Sequence, residues 1–529
     1  MGNLLSEPVT DKETEEGKTV SGLHYASSSM QGWRTHMEDA HICQGSLTVP
    51  TGTSHGDIQL DDHSLFAVFD GHRGSFAAKF SAKHFLQILV SRPSFIQYAI
   101  IFSQHKSEQV EDKNHDDKQK RQSYLQMIQF LEQGFKEAFL KVDVDLLKTI
   151  ECDDDDDKIV LDSQQSHPIK TSSILDEEGE INVGHSGTTA LVVFLTPSKI
   201  LCANAGDSRA IYSKRATMYD PNTKTSKFIH RTIPLSYDHK PNDEHEHSRI
   251  VMAGGYVSDN RVDGDLAVSR GLGDFRFKCN TDLNPEKQKL SAIPDFTIQT
   301  RNQEDDECVV LACDGIWDVC SNPEVIDNIH QMIAEGERRP GLMCEEMMDM
   351  CLMKGSKDNM TVTIVLMPGL KYTDKEGNQR SVLADLESCS DQESDSASST
   401  LSSSESSNTS GRNEVEKSTA VTQCGWSGGI QQNWKKKRNQ QQRAADDDNS
   451  EHTNNDSKMV CTKDSKNQSK RSQQQKTLSP DAPLSKVSKQ TQDKDLQNQK
   501  DVSILSSEVK GVLARRKKRE LKAEEGRTR

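Results

Sequence analysis

Thr189-Ala190-Leu191-Val192-Val193-Phe194-Leu195, then Thr196-Pro197-Ser198-Lys199, then Ile200-Leu201-Cys202-Ala203-Asn204, is the stretch that decides the fold class. Two apolar runs of strand length are separated by four residues of turn chemistry. Ala205-Gly206-Asp207 then turns the chain again into Arg209–Tyr212. Three short strands with tight turns predict an antiparallel meander, not a strand-helix-strand unit.

Further strands and helices flank this stretch. Ser64–Phe69 reads as a buried strand ending on Asp70, and Cys308–Cys313 as another ending on Asp314. Helical spacing recurs at Phe76, Ala77, Phe80, His84, Phe85 and Ile88, and again at Tyr124, Ile128, Leu131, Phe135, Phe139 and Val142. Asn242 or Asp243 is placed to cap a helix that stops at Gly254-Gly255. Asn322-Pro323 opens a helix with Val325, Ile326, Ile329, Met332 and Ile333 inward. A Met-rich helix runs from Leu342 to Lys354, its methionines read as core packing, and Met360–Leu366 closes the series as a strand. Strands in meanders, with long helices between the groups, predict an α+β sandwich.

Composition divides the chain. Its 529 residues are only 33% hydrophobic, but the apolar segments are concentrated before about Pro368, where a sizeable core can form. Beyond it, Ser, Gln, Asn, Lys, Asp and Glu predominate, too little apolar surface to offset the entropy of ordering. The expected division is therefore an N-terminal segment (1–20), a catalytic domain (21–368) and a disordered tail (369–529). Polar insertions are expected near 105–121, 151–182 and 215–228. The second contains the acidic run Asp153–Asp157, read as a solvated loop because it lacks the spacing of an EF-hand.

A formal net charge of -16 argues against general nucleic-acid binding. Twelve cysteines without a CxxC pair fit a reduced set better than a disulfide framework, and no apolar run has the length of a membrane span. An intracellular, cytoplasmic and monomeric protein is expected. Met1-Gly2-Asn3-Leu4-Leu5-Ser6 fits the pattern for N-myristoylation at Gly2. One myristoyl chain anchors weakly, and a second signal is available in Lys435–Arg438 and Arg515–Arg519. Those basic clusters are equally readable as nuclear import signals. Ser388–Ser410 has the composition of a phosphorylated segment or of a solvating linker.

Several acids fall at strand ends or in adjoining turns: Asp70, Asp207 and Asp314, with Asp318 four residues on. Glu38 and Asp358 lie in polar local sequences. Each alone reads as a turn former. As a set, carboxylates projecting from rigid strand ends select hard cations, Mg²⁺ or Mn²⁺, over zinc.

The words around these acids resemble the protein phosphatase 2C family of metal-dependent protein phosphatases. In order they are Gln31-Gly32-Trp33-Arg34 through Met37-Glu38-Asp39-Ala40-His41, Phe69-Asp70-Gly71-His72, Ser186-Gly187-Thr188-Thr189-Ala190, and Ala203-Asn204-Ala205-Gly206-Asp207-Ser208-Arg209. Asp238-His239-Lys240-Pro241, Leu266-Ala267-Val268-Ser269-Arg270, Ala312-Cys313-Asp314-Gly315-Ile316-Trp317-Asp318 and Asp358-Asn359-Met360-Thr361 follow. The resemblance covers roughly His24 to Met367.

It implies two antiparallel β-sheets packed as a central sandwich flanked by α-helices, and hydrolysis of phosphoserine and phosphothreonine in proteins. One metal would be held by Asp70, Asp314 and Asp358, a second by Glu38, Asp70 and the carbonyl of Gly71. A weaker third would use Asp207, Asp314 and Asp318. Two ions about 3.5–4 Å apart would activate a shared water for in-line attack, with no phosphoenzyme intermediate. Arg34 would grip the phosphate, His72 would act as general acid, and Asp39 would support the site. Arg73 stands where the family often has glycine, a strained choice if the position needs positive φ. The 215–228 segment is expected near a substrate-side flap. The competing classes are a catalytically silent scaffold of the same fold and a metal-dependent nuclease. The intact set of acids opposes the first, and the acidic charge with the phosphatase words opposes the second.

Overall fold

Which apolar runs become central strands follows from their burial on both faces. In the computed structural model, which describes residues 4–52, 56–111, 117–152, 185–220 and 224–388, eleven strands form the two main sheets. They are β1 (Leu4–Lys18), β2 (His24–Arg34), β3 (Ala40–Gln44), β4 (Ser64–Phe69), β5 (Ala190–Leu195), β6 (Lys199–Ala205), β7 (Arg209–Asp220), β8 (Thr225–Pro234), β9 (Asp295–Thr300), β10 (Asp306–Ala312) and β11 (Met360–Leu366). One sheet has the order β1-β2-β11-β10-β7-β8, the other β9-β6-β5-β4-β3. Every neighbouring pair is antiparallel. The strands β4, β5, β10 and β11 are all interior and buried along their whole length.

Side-chain alternation then builds three layers of core. Phe66 and Val68 of β4 meet Val309 and Leu311 of β10 between the sheets. The opposite face of β4, Leu65, Ala67 and Phe69, packs under α1 (Phe76–Val90), α2 (Pro93–Glu111) and α3 (Asp117–Cys152). Val310 and Ala312 of β10 face a second helical layer. Its helices are α6 (Asn322–Glu335) and α7 (Pro340–Met353), while α4 (Glu244–Met252) and the single turn α5 (Asp314–Trp317) lie elsewhere in the chain. The expected α+β sandwich flanked by helices is what forms.

The meander is corrected at its third strand. β5 and β6 pair as expected, but β7 pairs with β10 and β8, in the other sheet. The turn at 205–208, with Gly206 at φ +135°, carries the chain across the sandwich instead of back along β6. The N-terminal segment is the edge strand β1, paired with β2 from Lys18↔His24 to Leu4↔Arg34. Its exposed charges suit an edge, and Lys12 Nζ reaches Asp349 at 2.8 Å.

The boundary at 368 also moves. Residues 371–373 and 379–381 pair, residues 382–388 are helical, and Leu370, Val382 and Leu383 are buried against the α6–α7 layer. The 215–228 segment is the tip of the β7–β8 hairpin, and it does not adjoin the site. β7 runs from Arg209, opposite Ala312, to Lys214, opposite Asp306, so the tip lies at the far end of the sheet from Asp314. The insertion at 151–182, its acidic run, Gly2 and the basic clusters fall outside the described residues, apart from the last turn of α3.

Candidate active site

Strand ends deliver the acids to one place. β4 ends at Phe69, and the next residue, Asp70, is fixed from both sides. Its N–H donates to Thr189 Oγ1 (3.2 Å), and its carbonyl accepts from Thr188 Oγ1 (3.0 Å) and the Thr189 N–H (2.9 Å). Asp207 follows the crossing turn, and Asp314 follows β10. Carboxylate oxygens of Asp70, Asp207 and Asp314 all lie within 4.8 Å of one another. Burial, with repulsion from Asp314, Asp39, Asp207 and Asp358, pushes the Asp70 carboxyl well above the usual carboxylate range. Burial does the same at Asp314, reinforced by Asp207, Asp358 and Asp318. Asp318 is raised by burial more moderately. Crowded, desolvated carboxylates of this kind are a site that favours a bound cation.

The remaining residues ring this trio. Asp358 is ion-paired with Arg34, so the two residues expected to serve metal and phosphate separately touch one another. Glu38 lies outside the trio: its Oε1 accepts from the Gly74 N–H (2.6 Å), and its own N–H donates to Asn359 Oδ1 (3.0 Å). Gly71 packs directly on Glu38, where a Cβ would come 2.2 Å from the Glu38 carbonyl oxygen. Asp39 is buried and accepts from Thr361 Oγ1 (2.7 Å), and burial pushes its carboxyl up to about 6.

His72 contacts the buried Asp274 through Nε2. Burial disfavours the imidazolium, yet the Asp274 carboxylate outweighs it and raises His72 above its ordinary value. Arg73 does take the positive φ, +59°, and its guanidinium pairs with Asp265, which also holds Arg276.

Three residues of this arrangement were not singled out from sequence. Asp274 is 202 residues from His72 and sits in no acid cluster of the chain. It is held by a short loop braced on α3: Asp143 accepts from the Gly273 N–H (2.8 Å) and from Lys278 Nζ (2.7 Å). Lys240 pairs with Asp207, and its place in Asp238-His239-Lys240-Pro241 was the available signal. The same word buttresses the crossing turn, since Gly206 N–H donates to His239 Nδ1 (3.2 Å) and His239 N–H to the Gly206 carbonyl (3.0 Å). Asn359 ties the Glu38 loop together by donating to the carbonyls of Gln31 and His36, each at 2.9 Å.

Comparison with known proteins agrees with this architecture. The family model for protein phosphatase 2C matches residues 23–360. Protein phosphatase 2C homolog 3 of Schizosaccharomyces pombe is 35% identical over 381 residues, 71% of this chain and 71% of its own. Protein phosphatase 1A of Homo sapiens is 32% identical over 368 residues, 70% of this chain and 76% of its own. A crystal structure of serine-threonine phosphatase 2C from Toxoplasma gondii aligns with a TM-score of 0.45 at 20% identity, covering 69% of this chain and 98% of that one. The matched span takes in every acid of the site, from Glu38 to Asp358, and on this extent of similarity the chain belongs to the protein phosphatase 2C family of metal-dependent protein serine/threonine phosphatases.

Proposed function

We propose that the cleft around Asp70, Asp207 and Asp314 is the catalytic metal centre of this phosphatase, with Glu38, Asp318, Asp358 and the Gly71 carbonyl completing the ligand set. The observation that carries this is the convergence of three strand-end carboxylates within 4.8 Å, two of them raised far above their usual range. Such a donor set, all oxygen, fits Mg²⁺ or Mn²⁺, two at the centre and a weaker third beside Asp207 and Asp318. When bound, these ions supply charge neutralisation and Lewis-acid activation of water.

The chain's own residues do the rest. Arg34, at the rim beside Asp358, offers a planar fork of donors that suits a phosphoserine or phosphothreonine phosphate. A serine or threonine alkoxide needs a proton to leave, and His72, whose protonated form Asp274 favours, is the group assigned to give it. Asp39, held by Thr361, fixes the end of the β2–β3 loop next to Gly71. No side chain here needs to carry the phosphoryl group, in keeping with direct hydrolysis. Dephosphorylation of a phosphothreonine peptide by the full-length chain with Mn²⁺, with EDTA, and with Asp314→Asn tests the assignment. Turnover lost in both arms, with an unchanged circular dichroism spectrum, is expected. Full turnover by Asp314→Asn would overturn the assignment of the shared ligand.

We also propose cytoplasmic residence with membrane attachment through a myristoylated Gly2 and the basic clusters. The sequence pattern at 2–6 supports it. Incorporation of labelled myristate, abolished by Gly2→Ala, is the test. Nuclear accumulation of the unlabelled chain would favour the import reading of the basic clusters.

A further inference from the structure

A second cluster of ligating side chains lies at the opposite end of the six-stranded sheet. His230 on β8, Glu307 on β10 and His330 on α6 each offer a donor atom, all within 4.8 Å of one another. Glu307 stands at the start of β10, seven residues before Asp314, which follows the other end of that strand, about 23 Å away at an extended rise. It is there by a specific distortion: Ser213 partners Cys308 but Lys214 partners Asp306, which leaves Glu307 as the extra residue of a β-bulge. Bulges re-aim a side chain, and this one aims a fully buried carboxylate at the two imidazoles.

The contacts are those of a donor set gathered around a point. His230 Nδ1 lies 2.8 and 3.0 Å from the two Glu307 oxygens. His330 Nε2 lies 3.4 Å from Oε2, and it is a buried nitrogen with no hydrogen-bond partner. Ser213 Oγ orients the carboxylate, donating to Oε2 at 2.7 Å. The imidazole rings stack with centroids 3.3 Å apart, so their in-plane lone pairs run nearly side by side and one ring must turn before both converge on a tetrahedral ion. Although burial works against it, the Glu307 carboxyl is held at about 2 by the groups facing it, first His230. Of these separations the 3.4 Å one matches the roughly 3.3 Å between ligands of a tetrahedral ion with 2.0–2.1 Å bonds, while the 2.8 and 3.0 Å ones are hydrogen-bond lengths that must open to admit an ion. His230 is partly exposed, so water can complete the coordination.

We infer that His230, Glu307 and His330 form a site for Zn²⁺ or a similar borderline divalent ion, separate from the catalytic centre and tying the edge strand β8 to α6. Two imidazoles and one carboxylate select such ions over Mg²⁺. Any proton carried on His230 Nδ1 is released to solvent when the ion takes its lone pair, so binding adds no net covalent chemistry. The ion clamps a helix to the sheet edge it covers, and metal and fold stabilise one another.

Titrating the full-length protein with Co²⁺ under saturating Mg²⁺ tests this. The expected result is one equivalent of visible d–d absorption of tetrahedral intensity, without a thiolate-to-cobalt charge-transfer band, bleached by one equivalent of Zn²⁺. His330→Ala and His230→Ala are each expected to abolish the band, and Asp314→Asn to retain it. His230 is on the outer strand and partly exposed, so its variant keeps the test decisive if His330→Ala fails to fold. No tetrahedral band in the wild type, a band unchanged in His230→Ala, or one accompanied by thiolate charge transfer would each overturn the proposal.

Discussion

The titration of His72 is set chiefly by burial and by Asp274, whose carboxylate raises the imidazole above its ordinary value against the effect of burial. Removing that charge while keeping the shape takes away the main effect opposing burial, so Asp274→Asn is expected to lower the pKa of His72. A general acid works only while protonated. The alkaline limb of kcat/KM, measured with metal saturating, should therefore move to lower pH. An unmoved limb with reduced activity would show that Asp274 serves the fold alone. This residue marks where sequence reading stops. Asp70 and Asp314 were legible because each follows an apolar strand and stands in a distinctive word. Asp274 was not, since nothing local marks it and its partner is remote in the chain. The same holds for the Arg34–Asp358 contact: both residues were identified from their words, but their pairing exists only once β2 and β11 lie side by side.

Elements position these residues through close approaches that tolerate no extra atom. Gly315 opens α5 directly after Asp314, and a Cβ there would meet the Asn359 carbonyl oxygen at 2.0 Å. Gly315→Ala must push the end of β10 away from the loop that carries Asp358. A stability loss of about 1–3 kcal/mol is expected from overpacking, with a larger fractional loss of metal-dependent turnover; chemical denaturation alongside the activity assay reads both. A full-activity Gly315→Ala enzyme would show that the two acids need not be held in register.

The excursion between β8 and β9 is fixed differently, by a buried ionic clamp. Glu246 in the first turn of α4 accepts from Arg249 (2.7 Å), Arg270 (2.8 Å) and Ser269 (2.6 Å). Despite burial, these partners, Arg270 foremost, hold its carboxyl at about 2. A depressed carboxylate contributes stability that is complete above its unfolded value near 4.5 and lost as pH falls through 2. Glu246→Gln leaves Arg249 without a carboxylate, while Arg270 keeps Asp295 (2.6 Å), and should cost about 3–5 kcal/mol at neutral pH, measured by urea denaturation. A loss below 1 kcal/mol would mean that the arginines find other partners. Helices of this kind were readable where a start signal and apolar spacing coincide, as in α6 with Asn322-Pro323 and its five inward residues. The meander failed at its third strand because a turn word fixes a change of direction, not the sheet that the next strand joins.

At the scale of the whole molecule, composition put the end of the fold short of residues that pack into it. The shift to a polar average near Pro368 is genuine, but three apolar residues beyond it, Leu370, Val382 and Leu383, are spaced by a short polar hairpin and fill the α6–α7 layer. Average polarity hides residues that are few and well placed. Tyr372 adds a hydroxyl bond to Asp385 (2.6 Å) and a face for Arg338, 3.7 Å from the ring centroid. Burying three such side chains is worth roughly 4.5–9 kcal/mol at 1.5–3 each, a large share of the 5–15 kcal/mol that keeps a domain folded. A chain ending at residue 388 is therefore expected to unfold cooperatively near the midpoint of the full-length protein. One ending at residue 368 should show a markedly lower midpoint, or no cooperative transition, together with weak phosphatase activity. That activity loss would come from the α6–α7 layer and not from the metal centre, so adding Mn²⁺ should leave most of the deficit in place. Equal midpoints for the two truncations would mean that the hairpin and the final turn merely rest on the domain, and that the polar average had marked its true end.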